Sequence, residues 1–225
     1  MAMEKFAAVR AYIFDLDGTL IDSKIDIVNS VNAMLVDLGR EQLPMDLVAS
    51  YVGHGAPRLV ASALGPETSQ DETEKALRIF LGHYEERKLD CTRAYPGAVE
   101  GLAALAGAGQ PMAVLTNKPT KISEEILKGL DLSKYFRAIY GGDSFETKKP
   151  DAAGAQVILG ELGVEAAEAA MVGDSDVDIQ TARNAGMLAV AVKYGFGKHD
   201  ATTVTADLYI DSIAELALLK SNLPS

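Results

Sequence analysis

Short apolar runs and amphipathic stretches alternate along the second half of the chain. Runs that fit buried strands lie at 11–14, 112–115, 138–140, 170–172, 188–192 and 208–210. Apolar residues at helical spacing fill the intervals at 98–105, 122–130, 152–162 and 179–185, and a last helix is predicted after residue 210. Strands that alternate with helices are typical of right-handed crossovers and a parallel sheet. The pattern therefore predicts a Rossmann-like, doubly wound α/β core.

A block without a convincing strand separates the first apolar run from this alternating half. Over 27–38, and again further along the block, apolar residues recur at helical spacing. The most polar stretch, 72–88, predicts a helix with a solvated face. We therefore predict an α/β core of residues 1–21 and 92–225, with an inserted all-α cap domain of residues 22–91.

Composition narrows the classes of function. The 225 residues carry a net charge of −11, which argues against a surface for nucleic acid or anionic membranes. An anionic substrate would need a local positive charge in its site. Cys91 is the only cysteine, which excludes an intramolecular disulfide and a cysteine metal cluster. With no secretory leader pattern and no apolar run long enough for a bilayer, we expect a cytoplasmic protein, either a monomer or a homodimer.

Polar side chains follow three of the predicted strands. Asp15 and Asp17 come after the first strand, Thr116 and Asn117 after the second, and Asp174 after the fourth. Ligands of doubly wound sheets bind outside the carboxyl ends of the strands, where the strand order reverses. We therefore expect these five residues to form one site.

The acids at the strand ends indicate a divalent cation. A core strand ends in two carboxylates at a high cost unless a cation offsets their repulsion and desolvation. Mg²⁺ takes such oxygen ligands and completes its shell with water and substrate phosphate. We expect Asp15, Asp174 and the backbone carbonyl of Asp17 to hold Mg²⁺, with Asp178 orienting a metal-bound water or another ligand.

The same residues supply what phosphoryl transfer through a covalent intermediate needs. Asp15 is the candidate nucleophile, and Asp17 is the candidate acid and base. The Thr116 hydroxyl and the Asn117 backbone amide are placed to bind phosphoryl oxygens, and Lys149 balances the negative charge. Taken singly, each motif also fits a turn, a strand-to-loop cap or a surface lysine. Their joint order after predicted strands favours the site, whereas we interpret Lys118 and Lys148 as solvated neighbours.

These motifs, at 15–19, 116–117, 149–150 and 173–178, resemble the four motifs of the haloacid dehalogenase superfamily, in the same order. The resemblance covers the whole chain, including a helical cap inserted directly after the first motif. It implies the roles assigned above. The dehalogenases of the superfamily lack a second aspartate at the position of Asp17, so its presence here favours phosphoryl chemistry over halide chemistry.

Within the superfamily the chain looks most like phosphoglycolate phosphatases. The segment 52–56 resembles their Gly-Asn-Gly-Ala cap loop, with His54 in place of the asparagine, and this change leaves the substrate open. His54 and Arg58 are candidates for substrate contact from the cap; ordinary packing or helix capping is the alternative.

Three functions are consistent with the sequence. The first is a Mg²⁺-dependent phosphatase that hydrolyses a small phosphorylated metabolite, phosphoglycolate by resemblance, through an aspartyl-phosphate. The second is a phosphosugar mutase similar to β-phosphoglucomutase, which returns the phosphoryl group to its substrate. The third is a non-catalytic phosphate-binding protein, which the full set of acids disfavours.

Overall fold

The computed structural model describes residues 2–197 and 205–221. Its strands are β1 (Ala11–Phe14), β2 (Ile21–Asp22), β3 (Arg93–Ala94), β4 (Met112–Leu115), β5 (Ala138–Tyr140), β6 (Ala169–Gly173), β7 (Leu188–Val192) and β8 (Leu208–Ile210). Its helices are α1 (Ala2–Ala8), α2 (Lys24–Asp37), α3 (Met45–Ala49), α4 (Ala56–Leu64), α5 (Gln70–Arg87), α6 (Ala98–Gly107), α7 (Thr120–Gly129), α8 (Ala153–Leu162), α9 (Asp176–Ala185) and α10 (Ala214–Ser221). Single 3₁₀ turns cover Ser133–Tyr135 and Ala166–Glu168.

The central sheet has six parallel strands in the order β5-β4-β1-β6-β7-β8. From β1 the chain builds outward through β4 and β5, then crosses back to β6 on the other side of β1 and continues to β8. The strand order therefore reverses around β1, and the carboxyl ends of β1, β4 and β6 adjoin one another. The predicted doubly wound α/β class is confirmed.

Helices bury both faces of this sheet, which explains the continuous apolar character of its strands. Along β1, Tyr12 and Phe14 point into one apolar cluster, and Ala11 and Ile13 point into the other. All four side chains are fully buried. Helix α6 packs against α10, and α8 packs against α9 and β4, so the three layers enclose two cores.

The cap consists of α2–α5, inserted between β1 and the remaining parallel strands. Helix α5 packs against both α2 and α4. A capping box at Ser69 and Glu72 begins α5, two residues earlier than the polar pattern predicts. The expectation that this helix is mainly a solvated face is wrong, because Ala76, Phe80 and Tyr84 form a buried stripe at helical spacing.

Two small features join the cap to the core. An antiparallel ribbon pairs Ile21 with Ala94 and Asp22 with Arg93, where the chain leaves the core and returns to it. Neither of its strands was predicted, since two-residue strands carry no periodicity. The domain boundaries at 21/22 and 91/92 stay a prediction. No helix in the described part of the chain is long and apolar enough to cross a membrane.

Candidate active site

Asp15 lies at the centre of a buried cluster of charges beyond the carboxyl end of β1. The Lys149 Nζ atom is 2.8 Å from Asp15 Oδ1 and 2.6 Å from Asp178 Oδ1. The other oxygen of Asp178 accepts hydrogen bonds from the backbone amide and the hydroxyl of Ser175, which begins α9. Residues separated by more than 130 positions in the chain therefore meet at one point, as the sheet topology requires.

Asn117 holds Lys149 in place. Its Oδ1 atom accepts from the backbone amide of Lys149 at 3.0 Å, and its Nδ2 atom donates to the backbone carbonyl of Lys149 at 3.1 Å. The same Nδ2 atom donates to the carbonyl of Gly53 in the cap loop at 3.0 Å. The side chain of Asn117 thus fixes both the lysine and the loop above it. Sequence reasoning considered only its backbone amide.

Asp174 is the third buried carboxylate. Its Oδ2 atom accepts from the backbone amides of Phe196 (2.7 Å) and Gly197 (2.9 Å), in the loop after β7. Gly18 has a φ of +82°, and a Cβ there would lie 2.1 Å from Asp174 Oδ2. A side chain at position 18 would therefore displace the Asp174 carboxylate, which explains why a glycine follows Asp17.

Burial dominates the electrostatics of the cluster. Desolvation raises the pKa of Asp15 to about 6, although Lys149 acts in the opposite direction. Desolvation and the neighbouring carboxylates of Asp178 and Asp15 raise the pKa of Asp174 to about 8. Burial by itself would lower the pKa of Lys149, but its two carboxylate partners more than offset this and raise it. The single positive charge of Lys149 cannot neutralise the three buried carboxylates of the cluster.

The donor set of this cluster fits a hard divalent cation. Asp15, Asp174 and Asp178 each offer an oxygen, and these atoms lie within 4.8 Å of one another. A cation there would relieve the repulsion and desolvation that raise the two carboxyl pKa values. The side chain of Asp17 is not part of this group, because its carboxylate is paired with Lys118. The role of its backbone carbonyl stays a prediction.

Asp17 is held by residues outside the predicted site. The Lys118 Nζ atom donates to both Asp17 oxygens at 2.9 Å, and the Ser23 hydroxyl donates to Oδ1. Lys118 also donates to the Tyr84 hydroxyl and lies over its ring, 4.4 Å from the centroid. The interpretation of Lys118 as solvated is wrong, because the residue is only 6% exposed.

A pocket of about 530 Å³ of empty volume opens between the cap and the core at these residues. Asp15, Asp17, Thr116, Asn117 and Lys118 line its floor. Its roof is mainly apolar and comes from the cap, through Ile27, Val52, Ala56, Leu59, Phe80 and Leu81. Thr116 borders this space, and its hydroxyl accepts a hydrogen bond from the backbone amide of Lys118 at 3.3 Å. The site therefore has a polar floor under an apolar cover.

The two cap candidates lie outside this lining. His54 and Arg58 are exposed at the entrance to α4, and neither borders the pocket in this arrangement. Partial burial and the nearby charge of Arg58 lower the pKa of His54. The flanking glycines Gly53 and Gly55 border the pocket instead, so the loop presents backbone to the site.

A parallel α/β core with a helical cap and a buried acid cluster at the strand reversal defines a class of capped hydrolases. The model of the family described as haloacid dehalogenase-like hydrolase matches residues 12–192. The chain belongs to this family.

Individual proteins resemble the chain over nearly its whole length. A phosphoglycolate phosphatase from Chromobacterium violaceum is 39% identical over 218 residues, which cover 95% of this chain and 97% of that protein. A phosphoglycolate phosphatase from Neisseria meningitidis is 41% identical over 203 residues, covering 88% and 86%. A crystal structure of a predicted phosphoglycolate phosphatase from Haemophilus somnus superimposes with a TM-score of 0.88 at 32% identity, covering 96% and 99%. Family and relatives together support a phosphatase.

Proposed function

We propose that this protein is a Mg²⁺-dependent phosphatase that hydrolyses phosphoglycolate through an aspartyl-phosphate on Asp15. The observation that carries the proposal is the position of Asp15. It borders the pocket, and it lies within 2.8 Å of the Lys149 ammonium and within reach of two further acids. The substrate assignment is supported by relatives of this name that match over almost the full chain.

In the first half-reaction an oxygen of Asp15 attacks phosphorus, and the bond from phosphorus to the ester oxygen breaks. Asp17 donates its proton to the departing alkoxide. The Thr116 hydroxyl and the Asn117 backbone amide bind phosphoryl oxygens, and Lys149 neutralises charge at Asp15 and Asp178.

In the second half-reaction Asp17, now a carboxylate, takes a proton from water. That water attacks the phosphorus of the aspartyl-phosphate, the bond to Asp15 breaks, and orthophosphate leaves. The acid and base roles fall to one residue because the proton lost in the first step is regained in the second.

Mg²⁺ would be held by Asp15, Asp174 and the backbone carbonyl of Asp17, with Asp178 as an outer partner. When bound, the ion supplies positive charge to the phosphoryl oxygens. The cap excludes water from the first step and contacts the substrate, with His54 and Arg58 as candidates that need a movement of their loop to reach it. We further propose a cytoplasmic enzyme, monomeric or homodimeric, that binds neither nucleic acid nor membrane.

A panel of phosphorylated metabolites, assayed for orthophosphate release with Mg²⁺ and with EDTA, tests this proposal. We expect phosphoglycolate to give the highest kcat/KM, EDTA to stop release, and added Mg²⁺ to restore it. Release that continues in EDTA would contradict the metal assignment. A hexose-phosphate isomer formed without orthophosphate would identify a mutase, and binding of orthophosphate without any turnover would identify a non-catalytic protein.

A further inference from the structure

Lys118 places a buried positive charge in the pocket that the chemistry assigned above does not use. Its side chain is 5% exposed, and its three ammonium hydrogens face the two oxygens of Asp17 and the hydroxyl of Tyr84. It reaches from the floor of the pocket to the cap, since Tyr84 belongs to α5.

Because Lys118 is buried, its positive charge lowers the stability of the folded protein, and a function would explain why it is present. Burying an ammonium group costs several kcal/mol, and a single ion pair seldom returns more than that cost. A methionine or leucine would fill the same space next to the Tyr84 ring. Among the described residues that line the pocket, Lys118 is the only basic one, against two acids, Asp15 and Asp17.

The contacts of Asp17 conflict with the role proposed for it. As acid and base, its carboxyl group has to reach the leaving oxygen of the substrate. In this structure Lys118 and Ser23 hold both of its oxygens. Something must therefore replace Asp17 at the ammonium when the substrate is bound, because an unpaired buried cation would cost more than the paired one.

We propose that a carboxylate of the substrate takes this place, bound by the Lys118 ammonium and the Tyr84 hydroxyl, and thereby releases Asp17 to the leaving oxygen. This inference rests on the proposed phosphatase function. It makes Lys118 a specificity-determining residue and assigns Tyr84 as its partner from the cap. The hydroxyl of Tyr84 stays protonated at all physiological pH values, since desolvation and the charge of Asp17 raise its pKa well above 10.

The geometry also limits the class of substrate. Lys118 Nζ is one hydrogen bond, 2.9 Å, from the oxygens of Asp17 that serve the leaving group. A carboxylate at the ammonium therefore belongs to a carbon close to the ester oxygen. The site is built for a 2-phosphooxy carboxylate rather than for a phosphosugar, whose neighbouring groups are uncharged hydroxyls.

Two substrates that differ only in this group test the inference. Phosphoglycolate carries the carboxylate, and 2-hydroxyethyl phosphate has the same length with a neutral hydroxymethyl group. We expect Lys118→Met to lower kcat/KM for phosphoglycolate about 10- to 100-fold, with part of the loss in kcat, and to change that for 2-hydroxyethyl phosphate less than about threefold. Tyr84→Phe keeps the ring and should reduce the ratio of kcat/KM for phosphoglycolate to that for 2-hydroxyethyl phosphate about three- to tenfold. The control Lys128→Met, on the exposed side of α7, should change kcat/KM for neither substrate.

Equal losses on both substrates would overturn the proposal, because Lys118 would then act only by holding Asp17. If thermal melts show Lys118→Met to be unfolded, Tyr84→Phe decides by the same ratio. If the unmodified protein releases phosphate from neither compound with Mg²⁺, the phosphatase function fails instead. Calorimetric titration with phosphoglycolate and with orthophosphate then still tests the anion site. Lys118→Met should weaken the binding of phosphoglycolate and leave that of orthophosphate unchanged. Equal affinities of the variant and the unmodified protein for phosphoglycolate would refute the carboxylate site.

Discussion

At the scale of single residues, the candidate active site consists of charged side chains that the fold buries. Asp15, Asp174 and Lys149 were predicted from the sequence as members of one site. In the structure Lys149 Nζ lies 2.8 Å from Asp15, and carboxylate oxygens of Asp15 and Asp174 lie within 4.8 Å of each other. Asp17 shows the opposite case, because its hydrogen-bond partners Lys118 and Ser23 were not predicted as site residues. Carboxylates at strand ends are visible in a sequence, whereas the burial of a lysine depends on what folds over it.

The role of Asp15 is tested by Asp15→Asn, which keeps the size of the side chain and removes its nucleophilic charge. We expect phosphate release from phosphoglycolate to fall at least about a thousandfold, because no other group can form the covalent intermediate. Thermal melts should show a folded protein. Asp211→Asn, at a carboxylate with a 71% exposed side chain, is the control and should keep full activity. A rate for Asp15→Asn close to that of the control would exclude the nucleophile assignment.

Asp26 is a buried acid outside the candidate active site, and its contacts are structural. Its carboxylate accepts hydrogen bonds from the backbone amides of Cys91 and Thr92 and from the Thr92 hydroxyl, at 2.7–3.0 Å. We expect Asp26→Ala to lower the free energy of unfolding by about 3 kcal/mol, since it leaves three donors without a partner. Asp37→Ala, at the exposed end of the same helix, should cost less than about 1 kcal/mol. Urea denaturation measures both, and equal losses would contradict this account of Asp26.

At the scale of elements, periodicity predicted the six strands of the central sheet to within one residue and helices α6–α9 to within three, whereas α1 was not predicted. Periodicity was least informative in the cap, where α5 combines a polar sequence with a buried stripe of Phe80 and Tyr84. The two-residue strands β2 and β3 were missed because their pairing is decided by the return of the chain from the cap. Local sequence is therefore sufficient where an element is long and packs on the sheet, and insufficient where it closes a long loop.

Helix α5 depends on its capping box, which satisfies two backbone amides at its first turn. The Ser69 hydroxyl accepts from the amide of Glu72, and the Glu72 carboxylate accepts from the amide of Ser69. We expect Ser69→Ala to lower the free energy of unfolding by about 1 kcal/mol, whereas Ser69→Asp, which can also cap, should keep it within about 0.3 kcal/mol. Chemical denaturation followed by circular dichroism gives both values. A loss of the same size in both variants would show that the cap is not the reason.

At the scale of the whole molecule, the cap is joined to the core by a partly exposed group of ion pairs between α5 and α7. Lys88 at the end of α5 lies 2.9 Å from Glu125 in α7, and Lys121 in α7 lies 2.9 Å from Glu85 in α5. Each side of the contact thus contributes one lysine and one glutamate, and each residue faces an opposite charge on the other side. These ion pairs favour the arrangement of cap and core seen here and weaken with salt.

A double-mutant cycle on Lys88→Met and Glu125→Gln measures this contribution. We expect a coupling free energy of about 0.5–1 kcal/mol at low ionic strength, falling towards zero in 1 M NaCl, because both side chains are partly exposed to solvent. Lys193 and Asp211, an exposed ion pair with both partners in the α/β part of the chain, provide the matched cycle. A coupling that does not change with salt would mean that packing, rather than charge, holds the cap.

The sequence by itself determined the doubly wound class, the helical insertion and the acids at the strand ends, because apolar periodicity and strand-end polarity are local properties. Only the tertiary structure decided that Asn117 links Lys149 to the cap loop, that Asp174 is held by the loop after β7, and that Lys118 is buried against Tyr84. Each of these contacts joins positions far apart in the chain. The contacts of Asn117 with Gly53 and of Lys118 with Tyr84 depend on how the cap packs on the sheet, and those of Asp174 depend on the path of the chain after β7. No local pattern of residues carries that information.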